Sequence, residues 1–363
     1  MSNETQTPPE KRVGRTIRKI KLPRSGLIAS VVIMALVAGA YLAWRSPSML
    51  PVADIPVRFF QIATGSTAGT YYPVGEVIAT VISEPVGGEP CADEGRCGVP
   101  GLLAVVKSSR GSISNVRSVS AGQYDAALAQ ADIAYWAYSG SGIFSHSEPL
   151  ANLRAIAGLY PEAVHLVTAR DSSVRKVEDL RGMRVSIDRP GSGTRADALA
   201  ILRAFGLGED DVDIVEQGPA AAVDLMASGE LDAFFLIAGT PAAAVSELIE
   251  RGIGRLVPIF GPAVEELRRD NRFFVEHEIA ADIYPGVART RTLSVKALLL
   301  TSKDQEERLV QDITAALWRA GNRSVLDSGH AKTKEIRLEK ALDGVPIPIH
   351  PGAARFYRAA GMM

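Results

Sequence analysis

Two segments of this chain follow one plan, in which an apolar run ends in a loop of glycine, serine and threonine and an amphipathic helical pattern begins at once. They are QIATGSTAGTYYPVGEVIATVI, starting at Gln61, and RVSIDRPGSGTRADALAILRAFG, starting at Arg184. Such a unit is half of a βαβ crossover, so it commits the chain to an α/β fold with strands buried on both faces. The rest keeps that rhythm. VRFFQIAT, LLAVVK, DAALAQ, LRAIAGLY, HLVTA, RVSI, DAFFLI and SVKALLL read as strands of parallel, mostly buried sheets. TYYPVGEVIATVI, TRADALAILRAFG, AAAVDLMASG and PAAAVSELIERG read as helices between them. Two such units suit two α/β lobes facing each other.

The 363 residues, 47% of them hydrophobic, suffice for two ordinary cores. Lys plus Arg number 40 against 41 Asp plus Glu, so the balance gives no reason to expect a nucleic-acid partner. The bases are concentrated before Ser25, at Lys11, Arg12, Arg15, Arg18, Lys19, Lys21 and Arg24. An uncharged run follows, GLIASVVIMALVAGAYLAW from Gly26 to Trp44, about 28 Å long as a helix and able to span a bilayer. Basic tail (1–25), anchor (26–45) and Pro-punctuated linker (46–56) place the remainder on the far side of the membrane by the positive-inside rule. The expectation is a single-pass inner-membrane protein with its C-terminal domain in the periplasm. The competing reading is a signal peptide cleaved after Ala38-Gly39-Ala40, with release to the periplasm.

The two cysteines, Cys91 and Cys97, lie in a loop-like stretch and suit a local disulfide in an oxidising compartment. The alternative, half of a metal site, needs further ligands, and the five histidines are scattered without ligand spacing. Neither a metal nor a cofactor is expected.

The loop from Thr64 to Thr70 puts small residues where a backbone can approach a ligand, just before a helix N-terminus with its unpaired N–H groups. Pro190 to Thr194 does the same, although Ser192 or Thr194 equally suits a helix cap. Neither loop carries the GK[ST] of a P-loop, G-x-G-x-x-G is not met, and Ser66 is one residue out of register for a G-x-S-x-G elbow. No nucleophile and base stand out, so an enzyme is not expected. Ser112, Ser114, Asn115, Gln130 and Asp132 are polar groups at strand ends and helix starts, where they either orient a ligand or serve turns and caps. Tyr71 is placed at the cleft and Trp136 in packing. Arg195, one step into the second helix, is suited to a bidentate grip on a carboxylate.

These segments resemble the TAXI family of solute receptors, the binding components of tripartite ATP-independent periplasmic (TRAP) transporters. The resemblance rests on IATGSTAGTYYPVG, AQADIAYWAYSGSGIF, LRAIAGLYPEAVHLV, DLRGMRVSIDRPGSGT and LDAFFLIAGTPAAAV, and runs from Phe59 to about Leu326. It implies a two-lobed type II periplasmic binding protein fold with two crossing segments as hinge, lobe 1 over 57–165 and 296–363 and lobe 2 over 166–295. It implies ligands such as glutamate, related amino acids or dicarboxylates, and a membrane permease as partner. Carried over residue by residue, the cleft falls on Gly65, Ser66, Tyr71, Asn115, Gln130, Asp132 and Gly191, Ser192, Gly193 and Thr194, with Phe235 as a wall. The Cys-bearing insertion between Glu84 and Gly101 and the N-terminal anchor depart from the family pattern, and leave open a tethered sensor or accessory protein. The segment after Leu326 reads as a basic helix, a Pro-rich turn and a short helix, packed by analogy on the first lobe.

Overall fold

The computed structural model describes residues 34–38, 41, 57–84 and 97–363. Residues 34–38 and 41 are helical, and no helix among the described residues is long and apolar enough to cross a membrane. The basic tail, most of the expected anchor, the linker and Cys91 lie outside the described residues.

From Val57 onward the strand and helix patterns condense into one mixed sheet of ten strands flanked by helices. Its strands are β1 (Arg58–Ala63), β2 (Leu102–Lys107), β3 (Ala126–Gln130), β4 (Leu153–Ala169), β5 (Arg184–Ser186), β6 (Asp213–Val215), β7 (Ala233–Ala238), β8 (Gly254–Val257), β9 (Val275–Ile279) and β10 (Thr290–Ser302). The order is β2-β1-β3-β10-β4-β7-β5-β6, with β8 paired to β4 and β9 to β10. At one side β1, β2 and β3 are parallel, and at the other β5, β6 and β7 are parallel. This much is the expected βαβ arrangement.

The middle of the sheet corrects the all-parallel reading. β4 and β10 run antiparallel to one another and to their neighbours β7 and β3. They are also long, at 17 and 13 residues; β10 pairs with β3 and β9, and β4, paired with β7 and β8, packs Ile156 and Leu159 on the first side and Val164 and Leu166 on the second. Pro161-Glu162 suggests a break into two strands, because proline brings no N–H to a ladder. The ladder instead continues through it, with Pro161 opposite Lys296 and a register irregularity between Lys296 and Leu298. β6, β8 and β9 went unread because each has only three to five residues and little apolar patterning.

The core follows the same division. Ile62, Ile78, Leu128, Val310 and Tyr357 belong to a buried cluster around β1 to β3, while Val185, Leu199, Phe235 and Leu267 belong to another around β5 to β7. Helix α1 (Tyr71–Ile82) buries Val74, Ile78, Val81 and Ile82 at helical spacing. The helices α2 (Ser112–Ser120) and α3 (Ala131–Ser139) complete this side. On the other side α4 (Gly193–Ala204) buries Ala198, Ile201 and Leu202, followed by α5 (Pro219–Ala227), α6 (Ala243–Glu250) and α7 (Pro262–Asp270).

After β10 the chain returns to the first side through α8 (Glu307–Trp318), α9 (Arg323–Ser328) and α10 (Pro351–Ala359). The hydroxyl of Tyr357 donates to Ile156 O at 3.0 Å and accepts from Trp318 Nε1 at 3.1 Å, which ties α10 to β4 and α8. Asn322 grips Cys97, accepting from its N–H at 2.9 Å and donating to its carbonyl at 2.7 Å. One end of the Cys-bearing segment is thus pinned to the tail.

Candidate ligand-binding cleft

Both glycine loops arrive at one cavity. β1 delivers residues 64–70 and α1 to it from one side, and β5 delivers residues 188–194 and α4 from the other. The lining includes Gly65, Ser66, Tyr71, Gln130, Ser192, Gly193 and Thr194, together with Arg110, Glu162, Asp188 and Arg189. The cavity measures about 50 Å³, far below the several hundred Å³ of an ordinary small-molecule site. The two walls are in contact. A Cβ on Gly193 would fall 1.4 Å from Gln130 Oε1, and one on Gly111 would fall 3.2 Å from Ser192 Cα. Across the same junction Ser114 N donates to Gly191 O at 3.0 Å and Thr70 Oγ1 to Gly239 O at 3.0 Å. The conformation is closed.

The loops differ in what they leave free. At α1 the N-cap Thr70 makes no side-chain cap, and the amides of Thr70 and Tyr71 meet no acceptor among the described residues. At α4 the Ser192 hydroxyl accepts from Thr194 N at 3.1 Å and donates to Asp188 Oδ2 at 2.6 Å. Asp188 itself has φ of 71°, a left-handed backbone that side-chain-bearing residues rarely adopt.

A buried polar chain joins the cavity to the opposite wall. Glu162, from the middle of β4, accepts from Tyr71 OH at 2.6 Å, and that hydroxyl lies 3.4 Å from Ser112 Oγ. Ser112 Oγ donates to Gln130 Oε1 at 3.0 Å, and Gln130 Nε2 donates to Asp197 Oδ2 at 2.6 Å on α4. Burial raises the Glu162 carboxyl to about 8 against the stabilising Tyr71 bond, with Asp132 adding repulsion and Lys332 opposing it. Burial likewise raises Asp188, although Ser192 and Arg189 moderate it.

The family model of the NMT1-like family matches residues 62–361. The chain belongs to the NMT1-like family. Solved structures similar to it include one from Bordetella bronchiseptica RB50, at 18% identity over 84% of this chain and 82% of that one, with a TM-score of 0.48. The periplasmic binding protein BugD aligns at 12% identity over 85% of this chain and 99% of its own, with a TM-score of 0.49. The alkanesulfonate-binding protein SsuA from Xanthomonas axonopodis pv. citri, bound to MOPS, gives 16% identity, 85% and 94% coverage and a TM-score of 0.44.

Five expected cleft residues of this NMT1-like chain lie elsewhere. Asn115 donates to Thr64 O at 2.6 Å and Leu128 O at 2.7 Å, fixing the strand ends beneath the loop. Arg195 pairs with Glu216 at 2.8 Å. Phe235 packs in the core of the second side, and the cavity is reached instead by Leu236 and Ile237, further along β7. Gly191, at φ 99°, shapes the loop behind the lining. Asp132 is fully buried and faces Asp197. Sequence reasoning overlooked Arg110, Glu162, Asp188 and Arg189. Glu162 carried a signal, being the one acidic residue within the long apolar run of β4.

Proposed function

We propose that the chain is an extracytoplasmic solute receptor whose two lobes, 57–165 with 296–363 and 166–295, close on a small carboxylate-bearing ligand without transforming it. The observation that carries this reading is the cavity itself: two glycine loops, one from each side of the crossing strands β4 and β10, meet over a polar lining with two guanidinium groups. Free amides at α1 and the side chains of Arg110 and Arg189 suit an oxyanion. Glu162 offers an acceptor to a ligand ammonium or hydroxyl at the cavity floor, which favours a glutamate-like amino acid over a plain dicarboxylate. Because β4 and β10 are the strands shared by both sides, bending them opens the cavity to ligand size. Hand-over to a TRAP-type permease, tethering through residues 26–45 and a Cys91–Cys97 disulfide belong to the same proposal. An anchored sensor using the same cavity is the alternative.

The test is the melting temperature of the full chain in detergent against amino acids, dicarboxylates, 2-oxo acids, sulfonates and sugars, since a solute that binds only the folded state raises it. A rise of several degrees with one carboxylate, abolished by Ser66→Ala combined with Arg189→Ala, is the expected result. A melt that no solute moves rejects the reading.

A further inference from the structure

The polar chain that starts at Glu162 ends in two carboxyl groups that face one another across the closed junction. Asp132 opens α3 on the first side, and Asp197 stands on α4 of the second. Both are completely buried. Neither Asp132 oxygen, nor Oδ1 of Asp197, meets a hydrogen-bond donor in good alignment among the described residues. The amides of Asp132 and Ile133 lend Asp132 only partial stabilisation. The two carboxyls are close enough to hydrogen-bond to each other, and two ionised carboxylates have no proton with which to do so.

The surroundings do not neutralise the pair. From β4 the nearby ionisable group is Glu162, itself acidic, backed by Tyr71 of α1 and by Tyr160. Lys332 acts on Glu162 and has its ammonium 2.8 Å from Glu335. On α4 itself Arg195 is turned to Glu216, and Arg110 and Arg189 line the cavity instead. Gln130 supplies one neutral donor, to Asp197 Oδ2.

We propose that Asp132 and Asp197 form a proton-dependent latch: the cleft closes with one proton shared between them, and loss of that proton drives the walls apart. The proposal rests on the closing-receptor reading and adds its regulation. Closure then takes up a proton, so the closed form is favoured in acid and weakens as pH rises above the ordinary carboxylate range. Desolvation pushes both carboxyls upward, Asp197 strongly, in keeping with this direction. Opening exposes both groups to water, where they ionise freely.

The test uses the full chain in detergent, without ligand, carrying nitroxide labels on ketone side chains introduced at the exposed positions Thr80 of α1 and Asp224 of α5. Double electron–electron resonance reads the distance between the two walls from pH 5 to pH 9. The ratio of long to short distances is expected to rise about tenfold per pH unit over at least one unit, the slope of one proton per opening. Asp132→Asn and Asp197→Asn each replace the shared proton with a permanent amide donor, and keep the short distance throughout. Glu162→Gln keeps the Asp132–Asp197 pair and its pH-dependent profile but moves the midpoint, because the Glu162 carboxyl bears on both partners. A wild-type distribution independent of pH, a profile that survives both asparagine variants, or one abolished by Glu162→Gln overturns the latch. Since no ligand is used, a flat profile rejects the latch while the thermal-shift panel judges solute binding separately.

Discussion

The two glycine loops read alike in sequence and do different work in the fold. The 64–70 loop turns on Ser66, whose hydroxyl accepts from Ala68 N at 3.2 Å, but leaves the N-terminus of α1 uncapped, and the Thr70 and Tyr71 amides meet no acceptor among the described residues. The 190–194 loop closes on itself: Ser192 caps α4 and holds Asp188, and Gly193 fits flat against Gln130. A Gly/Ser/Thr loop before a helix therefore signals only that backbone donors are near a strand end. Whether they remain available depends on whether a neighbouring side chain satisfies them first.

The sharpest way to break this contrast is Gly193→Ala. The position has an ordinary helical backbone, so alanine is tolerated locally, yet its Cβ would coincide with Gln130 Oε1 across the junction. Overpacking of this kind costs about 1–3 kcal/mol, and the whole of it falls on the closed form. The expected outcome is a roughly 10- to 100-fold loss of affinity for whichever carboxylate shifts the melt, by calorimetric titration, together with a lower melting temperature wherever the ligand-free chain is itself closed. Gly69→Ala in the other loop has a Cβ 3.4 Å from Ser66 O and is expected to leave affinity within a few-fold.

Removing the Tyr71 hydroxyl tests whether the first loop is braced from beneath. Tyr71→Phe leaves Glu162 Oε2 buried without its donor at 2.6 Å, a loss of about 1–3 kcal/mol. In a chain of this size that amounts to a fall of a few degrees in melting temperature, read by differential scanning calorimetry. Ser192→Ala is the smaller counterpart on the second loop. It removes an N-cap, costing about 1 kcal/mol, and frees Asp188 from its donor. A lower melting temperature with little change in affinity is expected, whereas a loss of affinity as large as that of Gly193→Ala would show that the second loop presents Ser192 to the ligand.

How much of this was legible follows from which forces act locally. The strand–loop–helix units are local, and β1 with α1 and β5 with α4 fall where periodicity puts them. The continuous β4 was hidden because Pro161 is a local veto that tertiary pairing with β10 overrides. The cavity residues split along the same line. Gly65, Ser66, Gln130 and Gly193 lie at strand ends and helix starts, which pattern can find. Phe235 lies one residue short of the stretch of β7 that reaches the cavity, and Arg110 and Arg189 look like surface charges until both loops are brought together. Asp132 reads as a helix-start aspartate, and only the packing of α3 against α4 reveals the second carboxyl facing it.

Glu162 separates stability from ligand capture through pH. Its carboxyl titrates at about 8 in the folded chain against an ordinary 4.5, so folding favours the protonated form. That contribution is fully present below about pH 4.5 and is lost progressively as pH rises through about 8. The melting temperature of the ligand-free chain is therefore expected to fall between about pH 6.5, above which the buried histidines no longer oppose it, and pH 8, and Glu162→Gln, neutral at every pH and still able to accept from Tyr71, is expected to reduce the slope. What remains after that substitution belongs to Asp132, Asp197 and Asp188, the other buried carboxyls raised by desolvation, and below about pH 6.5 to the histidines that burial lowers, His165 to about 4, whose contribution rises with pH instead. A wild-type melting temperature that rises over this interval would mean that Glu162 is ionised in the folded state and balanced by a cation, with Lys332 the nearest candidate. Lys332→Met would then depress the melt throughout this interval, whereas with a protonated Glu162 it has little effect until the pH passes about 8.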